Sequence, residues 1–250
     1  MKRHFVLFFC FTSLYFLFTG CAKESATVTF AALSDYYPLQ TGRVFIYRLD
    51  SSIIPISGSE LQVKSYHAKD SIADTIRDNM MRLSYRIYRF VTDTLETQPW
   101  QTTGTFYVTP GEQTVEFVDD NNLRFIKLKQ PLRNYFSWTG NSYIETKTAT
   151  SPYQYLDGWN YTYQNLGMPY TVEKGTLDNT VTIVQQDETS PPGPFDVGSY
   201  QQRNYSVEVY AKDIGLVYKE LLHWTWQTTP PPAKFDNDSY GIKLSLIDYR

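Results

Sequence analysis

The chain is poor in the residues that most catalytic and redox chemistry needs. Among 250 residues it has two cysteines and three histidines. Two cysteines make neither a disulfide-dense scaffold nor a Cys-rich zinc site. Basic charge is also scarce: 23 Lys and Arg face 26 Asp and Glu, a net charge of -3, and no basic stripe is visible. A nucleic-acid partner is therefore not expected. There is no G-x-S-x-G, S-x-x-K, G-x-G-x-x-G, P-loop or H-E-x-x-H phrase. The longest apolar run, 5–18, is 14 residues, a helix of about 21 Å against about 30 Å of bilayer hydrocarbon. What abounds is aromatic: 21 Tyr, 15 Phe and 5 Trp. Such a chain is not disordered, and its length is ample for one core.

Lys2, Arg3 and His4 precede that run as a short basic segment, the layout of a signal peptide. The run ends at Leu17-Phe18-Thr19-Gly20-Cys21, followed by the polar Ala22-Lys23-Glu24-Ser25. This resembles the lipobox of bacterial lipoproteins, with Phe18 at the position where leucine is commonest and Leu17 one step earlier. The resemblance implies a signal peptide over 1–20, a diacylglyceryl group on the Cys21 thiol, and a tether over 21–34. Acyl chains contribute about 0.8 kcal/mol per buried methylene, so two or three hold a domain on a membrane. Ala22 rather than Asp after the cysteine implies the outer membrane, facing either the periplasm or the surface, and Lys23-Glu24 is similar to the surface-export signal of Bacteroidetes lipoproteins. With Cys10 removed and Cys21 acylated, no thiol remains for a disulfide, a nucleophile or a metal. No cofactor is implied.

From residue 35 onward the dominant signal is alternation of period two between turn residues. It predicts strands over 43–50, 84–93, 105–109, 114–118, 123–129, 143–148, 180–185, 205–210, 216–226 and 242–249. Asp119-Asp120-Asn121-Asn122 reads as a hairpin tip. The best helical stretch, 70–81, reads equally well as strand and turn. Pro191-Pro192-Gly193-Pro194 and Pro230-Pro231-Pro232 are loops, since proline cannot donate into a ladder. One domain over 35–250 is expected.

Tyr36-Tyr37-Pro38-Leu39-Gln40-Thr41-Gly42, leading into Phe45-Ile46-Tyr47, resembles the opening of uncharacterised Bacteroidetes cell-envelope lipoproteins. Tyr210-Ala211-Lys212-Asp213-Ile214-Gly215-Leu216-Val217-Tyr218-Lys219-Glu220 is similar to their late hairpin. The resemblance implies an envelope lipoprotein and carries over no catalytic residue. More distantly it implies the curved half-barrel sheet of lipoprotein-carrier proteins. The fold class expected is all-β: a single large antiparallel twisted sheet with few or no helices.

Candidate chemistry is sparse. After cleavage His67 and His223 remain, and both read as structural or exposed. Asp236-Asn237-Asp238-Ser239-Tyr240-Gly241 opens like a calcium loop, but Tyr240 and Ile247 stand where ligands are needed, so it reads as a turn. Glu220, Trp224 and Trp226 share one strand face. They read either as core with a marginal carboxylate or as a platform for sugar rings or lipid chains, which Trp138 and Trp159 would extend. Ser71, Thr75 and Thr94 lie in Asp-Ser-Ile, Asp-Thr-Ile and Asp-Thr-Leu, which resemble the O-glycosylation motif of exported Bacteroidetes proteins. The expected role is non-catalytic binding or structure in the envelope, with the membrane reached through the N-terminal lipid and a glycan or hydrophobic ligand as candidate partners. The alternative is a carbohydrate-binding or glycan-processing accessory protein with an aromatic groove.

Overall fold

Val44–Ile53 (β1), Gln62–Arg77 (β2), Leu83–Asp93 (β3), Gln101–Pro110 (β4), Thr114–Val118 (β5) and Arg124–Lys129 (β6) form consecutive antiparallel pairs. After a crossing come Ser137–Trp138 (β7), Tyr161–Val172 (β8), Gly175–Ser190 (β9), Gln201–Ala211 (β10) and Gly215–Gln227 (β11), again paired in order. Tyr240–Tyr249 (β13) lies between β1 and β11 and joins the two meanders, while Lys234–Phe235 (β12) pairs with β11. This is a computed structural model, describing residues 30–55 and 58–250. The signal peptide, Cys21 and most of the tether lie outside those residues.

The fold class is as the alternation predicts: all-β, one large antiparallel sheet. It curls until its edges nearly meet, so the half-barrel is close to a full one. At the seam Ile126 N–H donates to the Gly140 carbonyl at 2.6 Å and the Trp138 indole donates to the Ile126 carbonyl at 2.8 Å. The Tyr163 hydroxyl accepts from Lys129 N–H at 2.8 Å and donates to its carbonyl at 2.9 Å. Gly140 is required there, because a Cβ would fall 2.2 Å from the Tyr161 ring. The curl comes from bulges, at Ile46/Tyr47, Ile72/Asp74, Arg89/Phe90 and Val209/Tyr210 among others, each bending its strand.

Residues 70–77 continue β2, and a tight turn follows at Asp78, whose carboxylate accepts from Met80 and Arg82 N–H. The strand expected over 143–148 is turn and bend instead. Its backbone is claimed by side chains: Glu145 accepts from Lys147 and Thr148 N–H, and the Ser151 hydroxyl donates to the Glu145 carbonyl. A one-turn helix, α1 (Leu33–Tyr36), takes in the end of the expected tether, with Leu33 2% exposed in the core. The stretch after α1 is strapped to the β10–β11 turn: Asp213 N–H donates to the Asp35 carbonyl, and Arg43 donates to the Pro38 and Asp213 carbonyls.

Candidate functional site

The barrel is not filled. On the side of Phe136, Trp138, Tyr161 and Tyr163 aromatic rings pack the interior, with centroids 4.6–6.4 Å apart. On the other side is a cavity of about 450 Å³, within the range of small-molecule sites. One wall comes from the inward rows of β1, β2 and β3 (Phe45, Leu49, Ile72, Ile87, Val91), the other from Leu221, Ile242 and Leu244. Tyr37, Pro38 and Leu39 line it beside Ile214 and Gly215. Thr103, Asp120 and Asn121, also lining, are exposed and mark its mouth.

Charged residues interrupt these apolar rows. Arg89 on β3 donates twice to Asp70 on β2, at 2.7 and 2.6 Å, with its guanidinium 4.9 Å from the Phe106 ring centre. Glu208 on β10, 1% exposed, accepts from Lys127 Nζ at 2.6 Å and from the Tyr210 hydroxyl at 2.8 Å. Lys219 on β11 stands 3.8 Å from the same carboxylate. Burial pushes the Glu208 carboxyl up, but Lys127 and Lys219 outweigh it and hold the group below the usual glutamate value. Burial, reinforced by the like charge of Lys127, draws the Lys219 amine down to about 8. The Tyr210 and Tyr47 hydroxyls are pushed well up, first by burial. An apolar chamber with a few directed polar groups is equipped to bind and orient a ligand. Among the described residues no group of three or more His, Cys, Asp or Glu is placed to hold a metal ion.

The residues singled out from sequence lie elsewhere. Glu220, Trp224 and Trp226 alternate with Lys219, Leu221 and His223 along β11, so they occupy the outer face. Glu220 accepts from the Tyr218 hydroxyl at 2.5 Å. Trp226 is 4% exposed and donates to the Val197 carbonyl, and both indoles pack against Phe195 and Phe235 at 4.8–5.7 Å. Trp138 and Trp159 are buried and do not extend this cluster. Ser71 and Thr75 lie within β2, and Thr94 is exposed in the turn after β3. The aspartates before Ser71 and Thr75 are paired with Arg89 and Arg86.

His67 meets Glu96 at the surface, 3.0 Å apart. His223 is 1% exposed, stacked 4.1 Å from Tyr155 with Nδ1 2.7 Å from Asn204 Oδ1, and burial lowers its pKa. Its ring packs against Tyr155 and Tyr240, and Nε2 stands 3.7 Å from Asp238. Asp236–Ser239 forms the turn from β12 to β13, as expected, and Tyr240 and Gly241 already pair within β13. The cavity residues missed from sequence, Asp70, Arg89, Lys127, Glu208 and Lys219, share one signal: each is a charge within an inward-facing row. No family model matches the chain, and neither a curated protein nor a solved structure matches it.

Proposed function

We propose that the protein is a non-catalytic binding protein of the bacterial cell envelope, held on the outer membrane by acylated Cys21, with the barrel interior as its ligand site. The observation that carries this reading is the unfilled chamber: natural interiors close-pack, and a void of about 450 Å³ walled by Phe45, Ile72, Ile87 and Leu244 forgoes that packing unless something occupies it. Its apolar walls favour a small, largely hydrophobic ligand over a sugar. The glycan alternative would use Trp224 and Trp226, against which Phe195 and Phe235 already pack.

The test uses the full-length chain made in a host that processes lipoproteins. Organic extraction of the purified protein followed by mass spectrometry should recover a small hydrophobic compound at near one equivalent, and the N-terminal peptide should begin at an acylated Cys21. Leu244→Trp, which places an indole in the chamber, should lose the compound while keeping the acyl group. A chain that retains residues 1–20 removes the anchor from this reading. A Leu244→Trp protein that carries as much compound as the wild type removes the cavity.

A further inference from the structure

Deep in the chamber one carboxylate serves two ammonium groups. Glu208 is hydrogen-bonded by Lys127 at 2.6 Å and by Tyr210 at 2.8 Å. Lys219 Nζ, at 3.8 Å, is beyond hydrogen-bond reach. Among the described residues Glu208 is the one acidic side chain within 4 Å of that amine. The other interior pair, Asp70 and Arg89, closes on itself through two short bonds. Asp119, near the mouth, accepts Asn121 and Leu123 N–H on one carboxylate oxygen and acts on Lys219 electrostatically from beyond 4 Å, while Asp120 is exposed to solvent. Lys127, Glu208 and Lys219 together therefore carry one positive charge more than they neutralise. In an apolar interior such a charge is costly until a counter-ion reaches it. A quarter of the Lys219 side-chain surface is open, and the residue lines the chamber.

We infer that the ligand is an amphipathic monocarboxylate whose anionic end pairs with Lys219 while its apolar body lies against Phe45, Ile72, Ile87 and Leu244. This rests on the chamber being the ligand site. One excess positive charge matches one negative charge, and the pairing replaces a long contact to Glu208 with a direct charge-assisted hydrogen bond, the stronger kind. Lys219 is a binding residue here; Lys127 and Glu208 position it.

The full chain, stripped of co-purified compound on a hydrophobic resin and placed in phosphatidylcholine nanodiscs with empty discs as blank, is titrated calorimetrically at pH 7 with decanoate and with decanol. Decanoate should bind about tenfold more tightly, the scale of one charged hydrogen bond. Lys219→Met should lower decanoate to the level of decanol, with an unchanged circular dichroism spectrum showing the variant to be folded. Lys219→Arg should keep most of the preference. Equal affinities in the wild type, or a Lys219→Met protein that still prefers decanoate, overturns the pairing and leaves the chamber standing. Binding of neither amphipath to the wild type overturns the chamber as well.

Discussion

Glu116 and Glu208 each stand between two basic side chains, and the two clusters differ in how their charges close. At Glu116, on the opposite face of β5 from Phe117, Arg82 donates to both carboxylate oxygens at 2.9 Å and Arg124 adds a bond of 2.8 Å. Asp78 takes the remaining charge of Arg82 through a further bond of 2.8 Å. Two cations meet two anions, and the planar guanidinium forks fit carboxylates in fixed directions. At Glu208 the cations are lysines, point charges on flexible stems, and among the described residues no second carboxylate lies within 4 Å of either. The first cluster is a closed weld between the β2–β3 turn and β5–β6. The second is an unbalanced charge facing a cavity. Charge stoichiometry and donor geometry, more than burial of the glutamate, separate a structural ion cluster from one prepared for a ligand.

The largest expected effect tests that difference directly. Glu208→Gln leaves the buried Lys127 ammonium and the three-quarters-buried Lys219 uncompensated and should cost about 3–5 kcal/mol. Glu116→Gln should cost only about 1–2 kcal/mol, because Arg82 keeps Asp78 and both arginines still reach water. Urea midpoints followed by tryptophan fluorescence measure both. If the two losses are equal, the clusters are energetically alike and the contrast fails.

The Glu116 cluster also predicts acid sensitivity. Hydrogen bonds from Arg82 hold its carboxyl below the ordinary glutamate value, with burial opposing. A depressed folded-state pKa means the contribution is complete above the unfolded value of about 4.3 and fades as pH falls through the folded one. Wild-type stability should therefore drop more steeply below pH 4.5 than that of Glu116→Gln. Parallel curves would assign acid lability to other carboxylates.

Most of the sheet was legible in the sequence, because a half-buried strand alternates and turn residues punctuate it. The strand at Thr114–Val118 has the bounds the alternation predicts. No part of β8 was predicted, since Asn165 and Gly167 adopt positive φ within it and interrupt the period. The charges of the chamber were hidden by parity. On β11 the row with Trp224 and Trp226 is the more apolar, so it reads as the inner face and draws attention to Glu220. The loop carrying Phe195, together with Phe235, covers that outer row. The inner row is Val217, Lys219, Leu221 and His223, one residue out of step. Two apolar faces on one strand conceal which way the barrel closes, and closure depends on contacts such as Ile126 to Gly140 that no local pattern encodes.

The smallest effect concerns Lys219 alone and has the opposite sign to an ordinary ion pair. Its amine titrates near 8 in the folded chain, against about 10.4 unfolded. Between those values the unfolded chain holds more protons, so stability should rise with pH from about 8 to about 10, and below 8 the whole penalty remains. Above 10 the buried hydroxyls of Tyr47, Tyr161 and Tyr210, pushed up by burial, reverse the trend, because the unfolded tyrosines ionise first. Lys219→Met removes the spare charge, so at pH 7 it should match or exceed wild-type stability, by about 1 kcal/mol or less once solvent at the open quarter of the side chain is allowed for. It should also lose the rise between pH 8 and 10. Urea midpoints across that range decide the point: a flat wild-type curve, or a clearly weakened Lys219→Met protein at pH 7, would make Lys219 a second structural partner of Glu208 and bring the two clusters back to one kind.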